Sequence, residues 1–211
     1  MINEMEKDVA RVLISEEQIR QRVKEMGAQI SEDYAGKDVV LLCILKGAVQ
    51  FFSDLSRQMT CNLEMDFMSI SSYGNGTRTS GIVRISKDMD LSITGRLLVE
   101  NLHEVAADNL ALPLGSKDMD LSITGRHVLI VEDIMDSGLT LNHLTNILKT
   151  RQPASLRIAC LLDKPERREC AISPDYVGFV IPNEFVIGYG LDYMGHFRNL
   201  PYVGVKNTDN M

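Results

Sequence analysis

Residues 127–140, HVLIVEDIMDSGLT, hold the chain's densest run of side chains that could do chemistry. Three acids, Glu132, Asp133 and Asp136, are followed at once by Ser137, Gly138, Leu139 and Thr140. Carboxylates repel phosphate, so the acids suit sugar hydroxyls or a divalent cation that prefers oxygen ligands. Small hydroxyl residues and glycine at the start of a helix instead offer free amide N–H groups and a positive dipole end to a phosphate. Phosphate, polyol and metal in one stretch point to a phosphorylated sugar.

The elements that must position these groups follow from hydrophobic patterning. Val128–Val131 is an unbroken apolar run, as expected of a central parallel strand covered on both faces and spanning 127–132. After the acidic turn, Leu141, Leu144, Ile147 and Leu148 fall at helical spacing. A second buried strand is read at 39–45 (VVLLCIL), ending at Lys46, Gly47 and Ala48 before a helix carrying Val49, Phe52 and Leu55. Alternation at 63–70 predicts a strand covered mainly on one face, and 155–164 and 176–181 are two further strands. Ser15 with Gln18 forms a capping box ahead of a helix bearing Ile19, Val23, Met26 and Ile30. Glycines and hydroxyls mark 71–81 as a loop. Strands alternating with helices predict an α/β fold with a doubly wound parallel sheet, whose ligands bind beyond the strands' carboxyl ends.

VLIVEDIMDSGLT resembles the phosphoribosyl pyrophosphate signature of type I phosphoribosyltransferases, most closely the hypoxanthine-guanine branch. LKGA at 45–48 resembles that family's pyrophosphate loop, in which the peptide before the lysine is cis, and FVIGYGLDYMGHFRNLPYVG at 185–204 resembles its purine-binding and pyrophosphate-binding C-terminal segment. The resemblance covers nearly the whole chain except 97–126. It implies a single domain with a small hood built from the N- and C-terminal segments. It also implies purine salvage, with phosphoribosyl transfer from phosphoribosyl pyrophosphate to hypoxanthine or guanine, giving IMP or GMP and pyrophosphate. Glu132 and Asp133 would hold the ribose hydroxyls. Asp136 would contact the purine N7 as catalytic proton acceptor or donor. Ser137, Gly138, Leu139 and Thr140 would cradle the 5′-phosphate. Lys46, Gly47 and Arg198, with Ser72 and Tyr73 from a closing loop, would meet the pyrophosphate. Lys164 would donate to the purine O6, Phe185 would stack on the base, and the Val186 backbone would read its edge. The same resemblance implies magnesium, with Glu132, Asp133 and Asp192 as candidate ligands, Asp192 also lying at the purine site. Leu139 departs from relatives that carry lysine there, yet the role needs only its backbone.

A net charge of −7 and a pI near 5.1 give nucleic acid no electrostatic support. The first twelve residues lack a signal-peptide core and no run reaches bilayer length, so a cytoplasmic location without membrane partners is expected. Self-association into dimers or tetramers is common in the family. Cys43, Cys61, Cys160 and Cys170 lack metal-ligand spacing and read as reduced thiols. His103, His127, His143 and His196 read as structural or solvent-facing.

A repeated segment is foreign to the family. SKDMDLSITGR occurs at 86–96 and again, letter for letter, at 116–126. Removing the thirty residues 97–126 joins Arg96 to His127 and restores the family's spacing, so this is an inserted duplication, of natural or engineered origin. Leu98, Leu102, Val105 and Leu110 suggest a helix within it. One copy would lead into the 127–132 strand while the other is extruded, or the two would exchange places. Two other readings stand beside the salvage enzyme: a folded variant with reduced or no activity, and a regulatory RNA-binding relative.

Overall fold

The computed structural model describes residues 7–72, 83–87 and 123–207. The middle of the duplication, the suggested helix within 97–115, His103, Tyr73 and the 73–81 part of the loop lie outside these residues.

A six-stranded sheet forms the centre. Its strands are β2 (Asp38–Leu45), β3 (Asn62–Ser72), β4 (Val83–Lys87), β5 (His127–Met135), β6 (Ser155–Asp163) and β7 (Tyr176–Val180), in the order β4-β3-β2-β5-β6-β7. Every pairing is parallel except β3 with β4. Alternate residues of the central strands feed opposite faces, as the two-residue period of a strand requires. Val39, Leu41, Cys43, Leu129 and Val131 face one core, beneath α1 (Glu16–Asp33) and α2 (Val49–Gln58). Val40, Leu42, Ile44, Val128 and Ile130 face the other, beneath α3 (Leu139–Thr150). All ten are buried, which explains why these segments read as continuous apolar runs and not as alternating ones.

The capping box on α1 is present on both sides, with Ser15 Oγ accepting from the Gln18 amide and Gln18 Oε1 accepting from the Ser15 amide. Its Ile19, Val23, Met26 and Ile30 are buried. On α2, Phe51, Phe52 and Leu55 are buried while Val49 is exposed. Cys43 and Cys160 are buried thiols, Cys61 and Cys170 are half-buried, and all four are free.

The structure corrects the sequence reading at three places. The central strand extends three residues past 132, because Glu132, Ile134 and Met135 stay in register with Cys160, Leu162 and Asp163 of β6. Glu132 and Asp133 therefore sit inside a strand, not on a turn. Strand β4 is an addition that patterning does not predict, and so are the strands of the hood. β1 (Val9–Ile14), β9 (Val203–Lys206) and β8 (Val186–Ile187) form a separate antiparallel sheet in the order β1-β9-β8. These hood strands are short or half-exposed, so their periodicity is weak.

The tail of the second repeat copy lies in the fold. Ile123 is fully buried in the α3-side core, Thr124 donates from its hydroxyl to the Arg151 carbonyl, and the Gly125 amide donates to the Gln152 carbonyl. Arg126 pairs with Glu64 at 2.5 Å. These contacts lie before β5 begins, at the amino ends of the parallel strands.

Ile123→Ala is expected to cost roughly 2–5 kcal/mol, the usual range for emptying a buried aliphatic site, read as a lower denaturation midpoint at unchanged slope. Deleting 97–126 brings the identical Ile93–Arg96 up to His127. The shortened chain is expected to melt no lower than the parent, since the identical residues can take the same contacts and the closure entropy of a connection changes only slowly with its length. A large drop in melting temperature would show that the inserted segment carries fold contacts of its own.

Candidate active site

From β2 the chain crosses through α2 to β3 on one side, and from β5 through α3 to β6 on the other. The direction of winding thus reverses between β2 and β5, and the crevice beyond their carboxyl ends is where such sheets bind ligands. Lys46 and Gly47 follow β2, and Asp136–Thr140 follow β5, so two sequence-distant candidate loops meet there.

Their contact is tight. A side chain built on Gly47 would place its Cβ 1.6 Å from Asp133 Oδ2, so only glycine lets this loop pass the carboxylate. The Leu45–Lys46 peptide is cis, as the resemblance implies, and Lys46 is exposed. Glu132 and Asp133 each keep part of their surface, but the carboxyl groups themselves are enclosed, and Glu132 Oε2 is buried without a hydrogen-bond partner. Burial, and then the Asp133 charge beside it, push the Glu132 carboxyl well above its ordinary range. Burial also raises Asp133, opposed by the Ile134 amide, which donates to Asp133 Oδ1 at 2.8 Å, and by the charge of Arg198. Two adjacent carboxyls with an orphaned acceptor call for a ligand rich in hydroxyl donors or for a cation.

Asp136 stands just past the end of β5 and is half-exposed. Its Oδ1 accepts from Arg167 Nε at 2.9 Å, and its backbone carbonyl accepts from Arg168 Nη1 at 2.6 Å. Gly138, at φ +80°, is the N-cap of α3 and supplies no side-chain cap. The Leu139 amide donates to Ser137 Oγ at 3.4 Å. An uncapped first turn keeps amide donors for an anion at the positive end of the helix.

Lys164, immediately after β6, is buried and donates to the Glu184 carbonyl at 2.8 Å. Burial lowers its pKa, and the charge of Asp136 opposes that fall. The same Glu184 carbonyl lies next to Phe185, which is 47% exposed and meets Tyr193 edge to face at 5.8 Å. Val186 is buried in β8, opposite Val205. Arg198 pairs with Asp192 at 2.5 Å and donates to the Gly190 carbonyl at 2.6 Å, while the other Asp192 oxygen accepts from the Gly195 amide. Ser72 is the last residue of β3.

The structure thus joins Gly47 to Asp133 by contact, Asp133 to Arg198 by charge, Arg198 to Asp192 by an ion pair, and Lys164 to Asp136 by charge. Arg167, Arg168 and Asp163 also belong to this neighbourhood, and sequence reasoning missed them. The Arg-Arg pair three residues past Lys164 was the available signal, but arginines on a loop read as solvated charge. Among the described residues no group of three His, Cys, Asp or Glu side chains converges as a metal site, and no helix is long and apolar enough to cross a membrane.

A family model, the phosphoribosyl transferase domain, matches residues 14–194. The chain is 43% identical over 205 residues to the hypoxanthine-guanine phosphoribosyltransferase of Streptococcus pneumoniae, covering 97% of each chain. It is equally similar, at 43% over 205 residues, to the bifunctional protein TilS/HprT of Listeria innocua, of whose length it spans 27%. A crystal structure of a hypoxanthine phosphoribosyltransferase from Staphylococcus aureus superposes with a TM-score of 0.83 at 40% identity, covering 100% of this chain and 98% of that one. The winding of the sheet, the crevice at its reversal and these likenesses agree: the chain belongs to the phosphoribosyltransferase family.

Proposed function

We propose that this protein salvages purines, transferring the phosphoribosyl group of phosphoribosyl pyrophosphate to hypoxanthine or guanine. The observation that carries the reading is the meeting, at one crevice, of an enclosed carboxyl pair, an uncapped helix N-terminus and a buried lysine. Each suits one part of the reacting pair: ribose hydroxyls, 5′-phosphate and purine O6.

In the reaction, the bond from C1′ to the pyrophosphate oxygen breaks with its electrons leaving on pyrophosphate, and the N9 lone pair forms the new bond to C1′. Positive charge grows on the sugar ring meanwhile. Glu132 and Asp133, accepting from the ribose hydroxyls, favour that charge, and their orphaned acceptor oxygen is thereby satisfied. The proton left on N7 passes to the Asp136 carboxylate, which lies at the open end of β5 within the field of Lys164. Lys164 donates to O6, which adenine lacks. Phe185 offers its face to the base. Lys46 and Arg198 meet the charge of the departing pyrophosphate.

Asp192 is already held by Arg198 and the Gly195 amide, so Glu132, Asp133 and Asp192 do not form a closed cation cage. They fit magnesium held jointly with the ligand's own oxygens, the usual manner for that ion. When bound, it would draw off negative charge from the leaving group. Self-association into dimers or tetramers belongs to the same proposal.

The same proposal has the chain's insertion compatible with this chemistry. Ile123–Arg126 sit at the amino end of β5 and Asp136 beyond its carboxyl end, and the strand between them spans roughly 26 Å at about 3.3 Å per residue.

Mixed with phosphoribosyl pyrophosphate, magnesium and either base, the protein is expected to form nucleotide, followed by absorbance. Asp136→Asn is expected to slow turnover roughly 10²- to 10⁴-fold, the usual share of a general acid or base. No turnover by the parent chain would overturn the proposal. Lys164→Met is expected to lower kcat/KM for hypoxanthine and guanine roughly 10- to 100-fold, as loss of a charged hydrogen bond does, and to leave the KM for phosphoribosyl pyrophosphate nearly unchanged.

The raised Glu132 pKa also gives a stability prediction. An acid whose folded pKa lies above its unfolded one binds more protons when folded, so ionising it costs stability as pH rises from the ordinary value toward the raised one. Glu132→Gln removes that cost. The variant is expected to melt above the parent at neutral pH, with the difference disappearing below the ordinary glutamate range, while its affinity for phosphoribosyl pyrophosphate falls.

A further inference from the structure

The segment after Lys164 lies against the back of the phosphate loop. Arg168 Nη1 donates to the Asp136 carbonyl at 2.6 Å, and its Nη2 pairs with the Asp163 carboxylate at the end of β6. The Glu169 amide donates to the Ser137 carbonyl at 2.9 Å, and Cys170 Sγ lies 3.6 Å from that same carbonyl. A Cβ built on Gly138 would meet Ile172 Cγ2 at 2.8 Å, Arg168 Cδ at 3.0 Å and Cys170 Sγ at 3.2 Å, so the strap also closes over the loop's left-handed glycine.

A trans peptide is planar, with its C=O and the following N–H pointing in opposite directions. Holding the Asp136 carbonyl outward against Arg168 therefore turns the Ser137 N–H to the other side. Holding the Ser137 carbonyl against Glu169 does the same for the Gly138 N–H. Both amides then face away from the strap, on the side where the uncapped first turn of α3 begins. Without these ties the two peptide planes could rotate, and the amides would lose their common aim.

We infer that Arg168 is a positioning residue for the 5′-phosphate: anchored on Asp163, it fixes the Asp136–Ser137 peptide so that the loop's amides present a preformed anion cradle. This rests on the reading that places the 5′-phosphate at Ser137–Thr140. Arg168 suits the task because its side chain is only 15% exposed and its planar fork engages two partners at once. Arg167, by contrast, is 43% exposed and reaches the Asp136 carboxylate, not the backbone.

The test compares equilibrium binding of GMP and of guanosine, which differ only in the phosphate, to the parent protein and to Arg168→Gln, Arg168→Lys and Asp163→Asn. Arg168→Gln is expected to weaken GMP roughly tenfold or more, the scale of a lost charged hydrogen bond, with guanosine staying close to the parent. In steady state the KM for phosphoribosyl pyrophosphate rises while that for the base does not. Arg168→Lys restores part of the GMP affinity by keeping one donor. Asp163→Asn leaves the arginine but loosens its anchor and shifts the same quantities in the same direction by less, so it decides the matter if Arg168→Gln does not fold. GMP affinity unchanged in these variants, or GMP and guanosine falling together, overturns the inference. A parent protein that binds GMP no better than guanosine overturns instead the placement of the phosphate on which it rests.

Discussion

Two adjacent carboxyl groups enclosed at the end of the central strand set the terms for the rest of the molecule. Burial and a like charge both disfavour the ionised form of a carboxyl group, and here two carboxyls share one place, with one oxygen of Glu132 left unpartnered. The fold holds this cost because the pair is grafted onto a central, enclosed strand. β5 lies between β2 and β6, and Val128–Val131 beneath the acids are fully buried. The enclosure matters for the same reason, since a carboxyl pair on an exposed loop would turn toward water and need no other donors.

That demand explains the arrangement around it. Gly47 has no side chain, which lets the β2 loop press on Asp133. Arg198 contributes opposing charge from a distance while its own guanidinium is held by Asp192 and Gly190. On the far side the loop that follows β5 is tied back to β6 through Arg168, which reaches the Asp136 carbonyl and the Asp163 carboxylate. Three chain segments with little in common in sequence converge because the sheet reverses its winding between β2 and β5, and each contributes through backbone or charge that the others lack.

Much of this was legible in the sequence, and the reasons differ by residue. Val39–Ile44 and Val128–Val131 announce buried parallel strands because both faces are covered, and Ser15 with Gln18 announces a helix start because the cap is a local hydrogen-bond pair. The roles of Asp136, Lys164 and Arg198 came from resemblance, since a lone acid, lysine or arginine has no local pattern that separates chemistry from solvated charge. The end of β5 was misplaced at 132 because acids ordinarily end a buried strand. Glu132 continues it only because β6 runs alongside with Cys160 as its partner, a tertiary fact with no local trace. The hood strands were missed because β1 buries only Ile14 and β8 has two residues.

The duplication makes a related physical point. Its second copy ends in contacts that any chain with the sequence ITGR can make: a buried isoleucine, a left-handed glycine and an arginine paired with Glu64. These contacts specify how β5 is entered at the amino ends of the strands. The candidate site residues that follow β2, β5 and β6, in contrast, stand at and beyond the carboxyl ends. An α/β sheet separates the two along the length of its strands, so the entry to β5 can be rewritten while the order of groups from Glu132 to Thr140 is kept. The separation is a property of the architecture: Ile123–Arg126 meet the amino end of β5, while Asp136 stands past its carboxyl end.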